Sequence, residues 1–109
     1  MTEEMTAKLE TFRATLEAAQ LAGLEAAGMR LGNEDNHICY VKVGRKYANI
    51  DVGGPVHRSA KYMVDLMTGE IFGVKGYGVI HRGHRFGTLD TIAAWNWSGY
   101  FATPRKIAA

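Results

Sequence analysis

The feature that most constrains the fold is a β-hairpin signal in the middle of the chain. Two runs rich in β-branched and aromatic residues, 61–66 and 70–75, flank the turn sequence Met67-Thr68-Gly69. Runs of this composition around a short glycine-containing turn are typical of two paired antiparallel strands. The sequence therefore predicts a hairpin here, and the rest of the fold has to be built around it.

The loop length of this hairpin decides which side chains share a face. A two-residue loop would pair Met67 with Glu70, whereas a three-residue loop would pair Leu66 with Glu70 and hold Gly69 in the left-handed conformation. A shift of one residue moves every side chain to the other face of the sheet, so the register that gathers the apolar residues is favoured. The three-residue loop does this, and it predicts one apolar face with Tyr62, Val64, Leu66, Phe72 and Val74.

Further strands are predicted on both sides of the hairpin. The runs His37–Val43 and Lys46–Val52 read as a second hairpin around Gly44-Arg45, and Val56–Ala60 reads as a connecting loop. Tyr77–Arg82 is predicted as a third short strand that bends away at Gly76. Together these runs indicate an antiparallel meander of four or five strands.

The N-terminal segment carries a helical pattern. Thr2 can cap a helix whose first turn contains Glu3 and Glu4, where the helix dipole favours anions. Apolar residues then recur at spacings of four and three, which places them on one helical face: Met5, Leu9, Phe12, Leu16 and Ala19. We predict a helix from about Glu3 to about Ala27, with a kink at Gly23 as one alternative. It can pack on the sheet or, alternatively, bind a partner or a second copy.

The C-terminal segment begins with a helix-start signal at Gly87–Thr91, in which Thr88 is the cap. We predict a short helix there, followed by an aromatic tail. The aromatic residues can close one edge of the core, or they can anchor a protein partner. The candidate protein-interface residues are Trp95, Trp97, Tyr100 and Phe101.

The predicted fold is a single α+β domain over residues 1–109. A long N-terminal helix in residues 1–32 packs on a four- or five-stranded antiparallel sheet in residues 37–87, and residues 88–109 form the short helix and aromatic tail. A chain of 109 residues can bury one modest core. The lone cysteine, Cys39, excludes an intrachain disulfide and fits a reducing cytoplasm. We expect no membrane span, because no apolar run approaches ~20 residues.

The charge is small and unevenly distributed. The formal net charge is +2, with glutamates in excess over residues 1–30 and lysines and arginines in excess over residues 31–109. The densest cationic group lies in the glycine-rich stretch after the hairpin, where residues 83–87 are predicted to form an exposed loop. Cations beside an aromatic side chain suit phosphate neutralisation and base stacking. The candidate nucleic-acid contacts are Arg58, Lys75, Tyr77, Arg82, His84, Arg85 and Phe86. The alternative is a solvated turn whose charges protect a sheet edge.

The histidines in this stretch suggest two kinds of chemistry. His81 and His84 have a His-x-x-His spacing, but a regular strand would put them on opposite faces, and no cysteine or acidic residue lies close enough in sequence to complete a zinc site. Together with His57, Glu70 and the arginines, they also supply the residue types of a metal-independent nuclease. No spacing requires that chemistry, so we assign no catalytic residue, no metal and no cofactor.

The run from Tyr62 to Ile92 resembles a stretch of small uncharacterised proteins of actinobacterial phages. The resemblance rests on Asp65 with Thr68-Gly69-Glu70-Ile71 and on the segment Gly87–Thr91, and it leaves the N-terminal helix outside. It implies a phage accessory protein that acts in the cytoplasm of an infected bacterium.

The leading prediction for function is a non-enzymatic protein that binds nucleic acid or a nucleoprotein through the basic glycine-rich loop. The alternatives are a protein–protein inhibitor of a host or defence complex, with a homodimer as one form, and a metal-independent nuclease.

Overall fold

The computed structural model describes residues 2–26, 28, 37–53, 58–76, 79–98 and 102–104. One helix, α1 (Glu3–Ala26), precedes the strands β1 (Cys39–Val43), β2 (Tyr47–Gly53), β3 (Arg58–Asp65), β4 (Glu70–Gly76) and β5 (Val79–Thr88). A 3-10 turn, Ile92–Ala94, and two short paired strands, β6 (Trp95–Asn96) and β7 (Thr103–Pro104), follow. The predicted α+β class is confirmed, but the predicted C-terminal helix is only a 3-10 turn.

Helix α1 begins and packs as its sequence predicts. The hydroxyl of Thr2 accepts a hydrogen bond from the backbone N–H of Met5 at 3.1 Å, which caps the first turn. The predicted apolar face is confirmed, since Leu9, Phe12 and Leu16 are buried. The helix runs unbroken through Gly23, where a Cβ atom would lie 2.7 Å from the carbonyl oxygen of Ser98. Gly23 therefore permits a close approach of α1 to the backbone at Ser98.

The five long strands form one antiparallel meander in the order β1-β2-β3-β4-β5. The predicted hairpin around Gly44-Arg45 is confirmed. Strand β3 begins at Arg58, so the last part of the predicted connecting loop Val56–Ala60 is strand, and residues 54–57 lie outside the described residues. Strand β5 extends to Thr88, so the predicted exposed loop at residues 83–87 is wrong. Those residues belong to an irregular part of the last long strand.

The register of the β3–β4 hairpin differs from the prediction by one residue. Val64 pairs with Ile71 and Met63 with Phe72. The loop is one residue longer than predicted because Asp65 starts the turn: its carboxylate accepts the N–H of Met67 at 2.8 Å, and its carbonyl oxygen accepts the N–H of Gly69 at 2.7 Å. Gly69 has φ of 77°, so its predicted left-handed conformation is confirmed.

The corrected register defines two faces of the sheet. The helix-covered face carries the core side chains of β1 to β4, including Ile50, Tyr62, Val64 and Ile71. The opposite face, called the helix-free face below, carries Met63 and Phe72. The prediction that Phe72 shares a face with Tyr62 and Val64 is therefore wrong.

Aromatic side chains join the helix, the sheet and the C-terminal segment. The Phe12 ring lies 4.9 Å from that of Trp97 and 6.0 Å from that of Tyr62, measured between centroids. Tyr62 also contacts Phe86 and Trp97 edge-to-face, each at 5.3 Å. The indole N–H of Trp97 donates to the carbonyl oxygen of Ile92 at 2.9 Å, which satisfies the polar atom of the ring inside the core.

Candidate nucleic-acid interface

The irregular part of β5 is a wide bulge opposite β4. Phe72 pairs with Arg85, but the next residue of β4, Gly73, pairs with His81. Arg82, Gly83 and His84 therefore have no opposite residue on β4, and they form what we call the β5 bulge. All three are exposed. A bulge redirects side chains relative to a regular strand, so its residues need not alternate between the two faces.

At the bulge, the histidine side chains and the Arg82 side chain extend in different directions. The rings of His81 and His84 are stacked, with centroids 4.0 Å apart and planes inclined by 9°, and a Cβ atom on Gly73 would lie 3.1 Å from Cβ of His84. The prediction that the two histidines fall on opposite faces is therefore wrong. In a nuclease, the general acid and the general base lie on either side of the phosphate that is cleaved. The stacked rings of His81 and His84 leave no room for a phosphate between them.

Arg82 extends along the helix-free face, away from the histidines. Its guanidinium carbon lies 5.6 Å from the centroid of the Phe72 ring and 6.0 Å from that of Tyr47. One guanidinium nitrogen donates to the hydroxyl of Tyr47 at 2.5 Å. Lys46 adds a second cation, with Nζ 5.6 Å from the Tyr47 centroid. Arg82 thus connects β5 to β2 across the two strands between them, and we call Lys46, Tyr47, Phe72 and Arg82 the cation–aromatic cluster.

The second arginine of the stretch is paired with a carboxylate of the protein. Nε of Arg85 lies 2.6 Å from Oε2 of Glu70, and the Arg85 side chain is 52% exposed. An exposed pair of this kind contributes little to stability, but Glu70 offsets the charge of Arg85. Arg82 differs because its hydrogen-bond partner is an uncharged hydroxyl. The positive charge of the site therefore rests mainly on Arg82 and Lys46.

The other predicted nucleic-acid residues are not all brought to this cluster. His84 is exposed on the bulge but stacks on His81, away from Arg82, and Lys75 is exposed on β4, where the register shifts between Val74 and Gly76. Phe86 was predicted to stack with bases, but it is 7% exposed and packs against Tyr62, so that role is wrong. The side chain of Arg58 and all of Tyr77 lie outside the described residues.

Of the predicted protein-interface aromatics, the structure describes Trp95 and Trp97. Trp97 is 1% exposed within the core, so its role as an exposed anchor is wrong. Trp95 is half-buried and contacts Phe86 edge-to-face at 5.8 Å. Tyr100 and Phe101 lie outside the described residues.

Sequence reasoning missed Lys46 and Tyr47 as members of the site. They follow the Gly44-Arg45 turn and read simply as the start of β2. The signal that links them to Arg82 is the face on which Phe72 lies, and that depends on a turn length that the sequence pattern assigned incorrectly. Because Met63 pairs with Phe72, both side chains lie on the helix-free face. A long side chain such as that of Arg82 can extend over them.

Burial shifts the pKa of Cys39 and of the half-buried Lys61. Burial raises the pKa of the Cys39 thiol to about 12, and the Glu17 carboxylate nearby adds to the rise. Cys39 is thus a buried, protonated side chain of the core. Burial also lowers the pKa of Lys61. In the described part of the chain, no group of three or more histidine, cysteine, aspartate or glutamate residues could hold a metal ion.

Comparisons of the chain with models of protein families, with curated proteins and with solved structures find no match. The resemblance to phage proteins stays a prediction. No helix among the described residues is both long and apolar enough to cross a membrane.

Proposed function

We propose that the protein is a non-enzymatic binding protein that contacts nucleic acid, free or within a nucleoprotein, through the helix-free face of its sheet. The observation that carries the proposal is the position of Arg82, which extends from the β5 bulge over Phe72 to Tyr47. It gathers two cations and a half-buried phenol ring into one surface, although their residues are far apart in the sequence.

The cations of this surface are suited to phosphates. A guanidinium has five N–H donors, and the hydrogen bond to Tyr47 uses one of them. The remaining donors of Arg82 can bind phosphate oxygens in the paired geometry that arginine favours. Lys46 provides a second, more mobile positive charge on the same ring. A strand crossing this face would therefore pass two cations.

The aromatic groups favour single strands over duplexes. Open sheet faces that bind single-stranded nucleic acid stack exposed bases on aromatic side chains, which a paired helix does not allow. Tyr47 offers such a ring between Lys46 and Arg82. We propose single-stranded RNA or DNA as the ligand. The phage resemblance would make it an accessory protein of the infected cell's cytoplasm.

Fluorescence anisotropy with a labelled single-stranded oligonucleotide tests this proposal. Binding is expected at low salt, and the logarithm of the affinity should fall linearly with that of the salt concentration, by about 0.7 per phosphate contact. Arg82→Gln and Lys46→Gln should each reduce that slope by about one contact, because each removes one cation. A duplex of the same sequence should bind less tightly.

The matched control is Lys8→Gln. Lys8 is a lysine of α1, and it pairs with Glu4 at 3.3 Å and with Asp90 at 2.9 Å, so this variant should leave affinity and slope unchanged. Circular dichroism should first show that each variant is folded. Absence of binding at low salt would refute the proposal, as would an Arg82→Gln variant that binds like the wild type.

A further inference from the structure

Strand β1 is the terminal strand on one side of the described sheet. Its hydrogen bonds to β2 show which of its backbone groups point outward, away from β2. The carbonyl oxygen of Ile38 accepts the N–H of Gly53, and the N–H of Gly44 donates to Tyr47, both at 2.9 Å. Even-numbered residues of β1 therefore bond to β2, and odd-numbered residues direct their backbone groups outward. The N–H of Cys39 confirms this, since it donates to Oε1 of Glu17 on α1 at 3.0 Å.

The next two odd-numbered residues, Val41 and Val43, have no neighbouring strand on that side in the described part of the chain. Their side chains lie on the helix-covered face, where α1 leaves a cleft of about 220 Å³ beside the edge. The cleft is lined by Thr6, Leu9, Glu10, Val41 and Val43. Val43 is 46% exposed although it belongs to the apolar side of the strand. An unpaired edge next to an apolar cleft is the arrangement that binds an added strand in many peptide-binding proteins.

The residue between the valines sets the charge that such a strand must carry. Lys42 points to the helix-free face and is exposed, and the exposed Arg45 follows in the turn. An added antiparallel strand that bonds to both valines would place one of its residues directly opposite Lys42. In the two-fold pairing of two copies in which both valines bond, Lys42 would face the same lysine of the second copy, and like charges opposite each other are destabilising.

We propose that the β1 edge binds an extended peptide with an apolar–acidic–apolar pattern as a sixth strand. The two apolar residues bond to Val41 and Val43 and turn their side chains toward the cleft, while the acidic residue lies opposite Lys42. Four backbone hydrogen bonds form without disturbing the bond between Cys39 and Glu17. The two valines and the cleft lie on the face opposite to the cation–aromatic cluster, and the inference does not depend on nucleic-acid binding.

An NMR titration with a capped synthetic peptide, Thr-Val-Glu-Val-Thr, tests the inference. Saturable shifts are expected at the amides of Val41 and Val43. The same peptide with lysine in place of glutamate should bind about fivefold less tightly, as expected for a single cross-strand charge pair. In a Lys42→Glu variant this preference should invert, so that the lysine peptide binds more tightly.

Val43→Pro separates edge pairing from simple attraction of charges. It removes an outward N–H that β2 does not use, so the sheet should survive while peptide binding is lost. The amide spectrum of β2 to β4 checks the fold. Arg82→Gln should leave peptide binding unchanged. The inference is overturned if Val41 and Val43 do not shift, if Val43→Pro still binds, if Lys42→Glu does not invert the preference, or if the chain pairs with itself through β1.

Discussion

Replacing Trp97 by alanine is expected to lower the free energy of unfolding by about 3–5 kcal/mol, the range for large aromatic side chains in cores. The side chain is 1% exposed and contacts the rings of Phe12, Tyr62 and Phe86. Its removal would leave a cavity where α1, the sheet and the C-terminal segment meet. The total free energy of unfolding of a small domain is about 5–15 kcal/mol, so the variant should be close to the limit of stability. Urea denaturation followed by circular dichroism measures the loss.

Two comparisons make this prediction specific. Trp97→Phe should lose clearly less than the alanine variant, because it keeps most of the apolar volume. Trp95→Ala should also lose less, because Trp95 is only half-buried. If Trp97→Ala unfolds at the urea concentration of the wild type, the C-terminal aromatics are not part of the core. Their interpretation as an exposed protein interface would then return.

The second large effect is expected for Gly87→Ala. Gly87 has φ of 74°, and a Cβ atom there would lie 2.5 Å from Oγ1 of Thr91 and 2.7 Å from Nε1 of Trp95. The left-handed backbone alone costs a non-glycine residue about 1–2 kcal/mol. Crowding adds about 1–3 kcal/mol. Thr91 cannot simply turn away, because its hydroxyl accepts the N–H of Thr88 at 2.9 Å.

Gly28→Ala is the matched control for Gly87→Ala. Gly28 has a similar φ of 67°, but a Cβ atom there would meet none of the described residues within 4 Å. It should therefore show the backbone cost of about 1–2 kcal/mol without the crowding. Thermal unfolding of the two variants gives the comparison. Equal losses would mean that Thr91 and Trp95 do not pack against Gly87 as described.

Local patterns in the sequence predicted those elements that depend on local interactions. The cap at Thr2, the buried face of α1 and the left-handed Gly69 follow from residues a few positions apart, so they could be found without knowledge of the fold. The strand runs were identified for the same reason. The C-terminal helix was overestimated, because Thr88 belongs to β5 and does not cap a helix, and the 3-10 turn begins only after Thr91.

The candidate site could be predicted only in part, because it depends on register. One hydrogen-bonded aspartate, Asp65, lengthens the hairpin loop and moves Phe72 to the helix-free face. The bulge then keeps Arg82 on that face, where it reaches Tyr47. Each step changes which side chains meet across the sheet, and none is visible as a periodic pattern. Sequence reasoning therefore found the arginine but missed its partners.

The most direct test of the proposed function is an NMR titration of the whole protein with a short single-stranded oligonucleotide at low salt. If the helix-free face binds the strand, the amide and side-chain signals of Lys46, Tyr47 and Arg82 should shift together and saturate, while those of α1 stay in place. Shifts confined to α1 or to the β1 edge, or no shifts at all, would contradict the proposal that this face is the nucleic-acid interface.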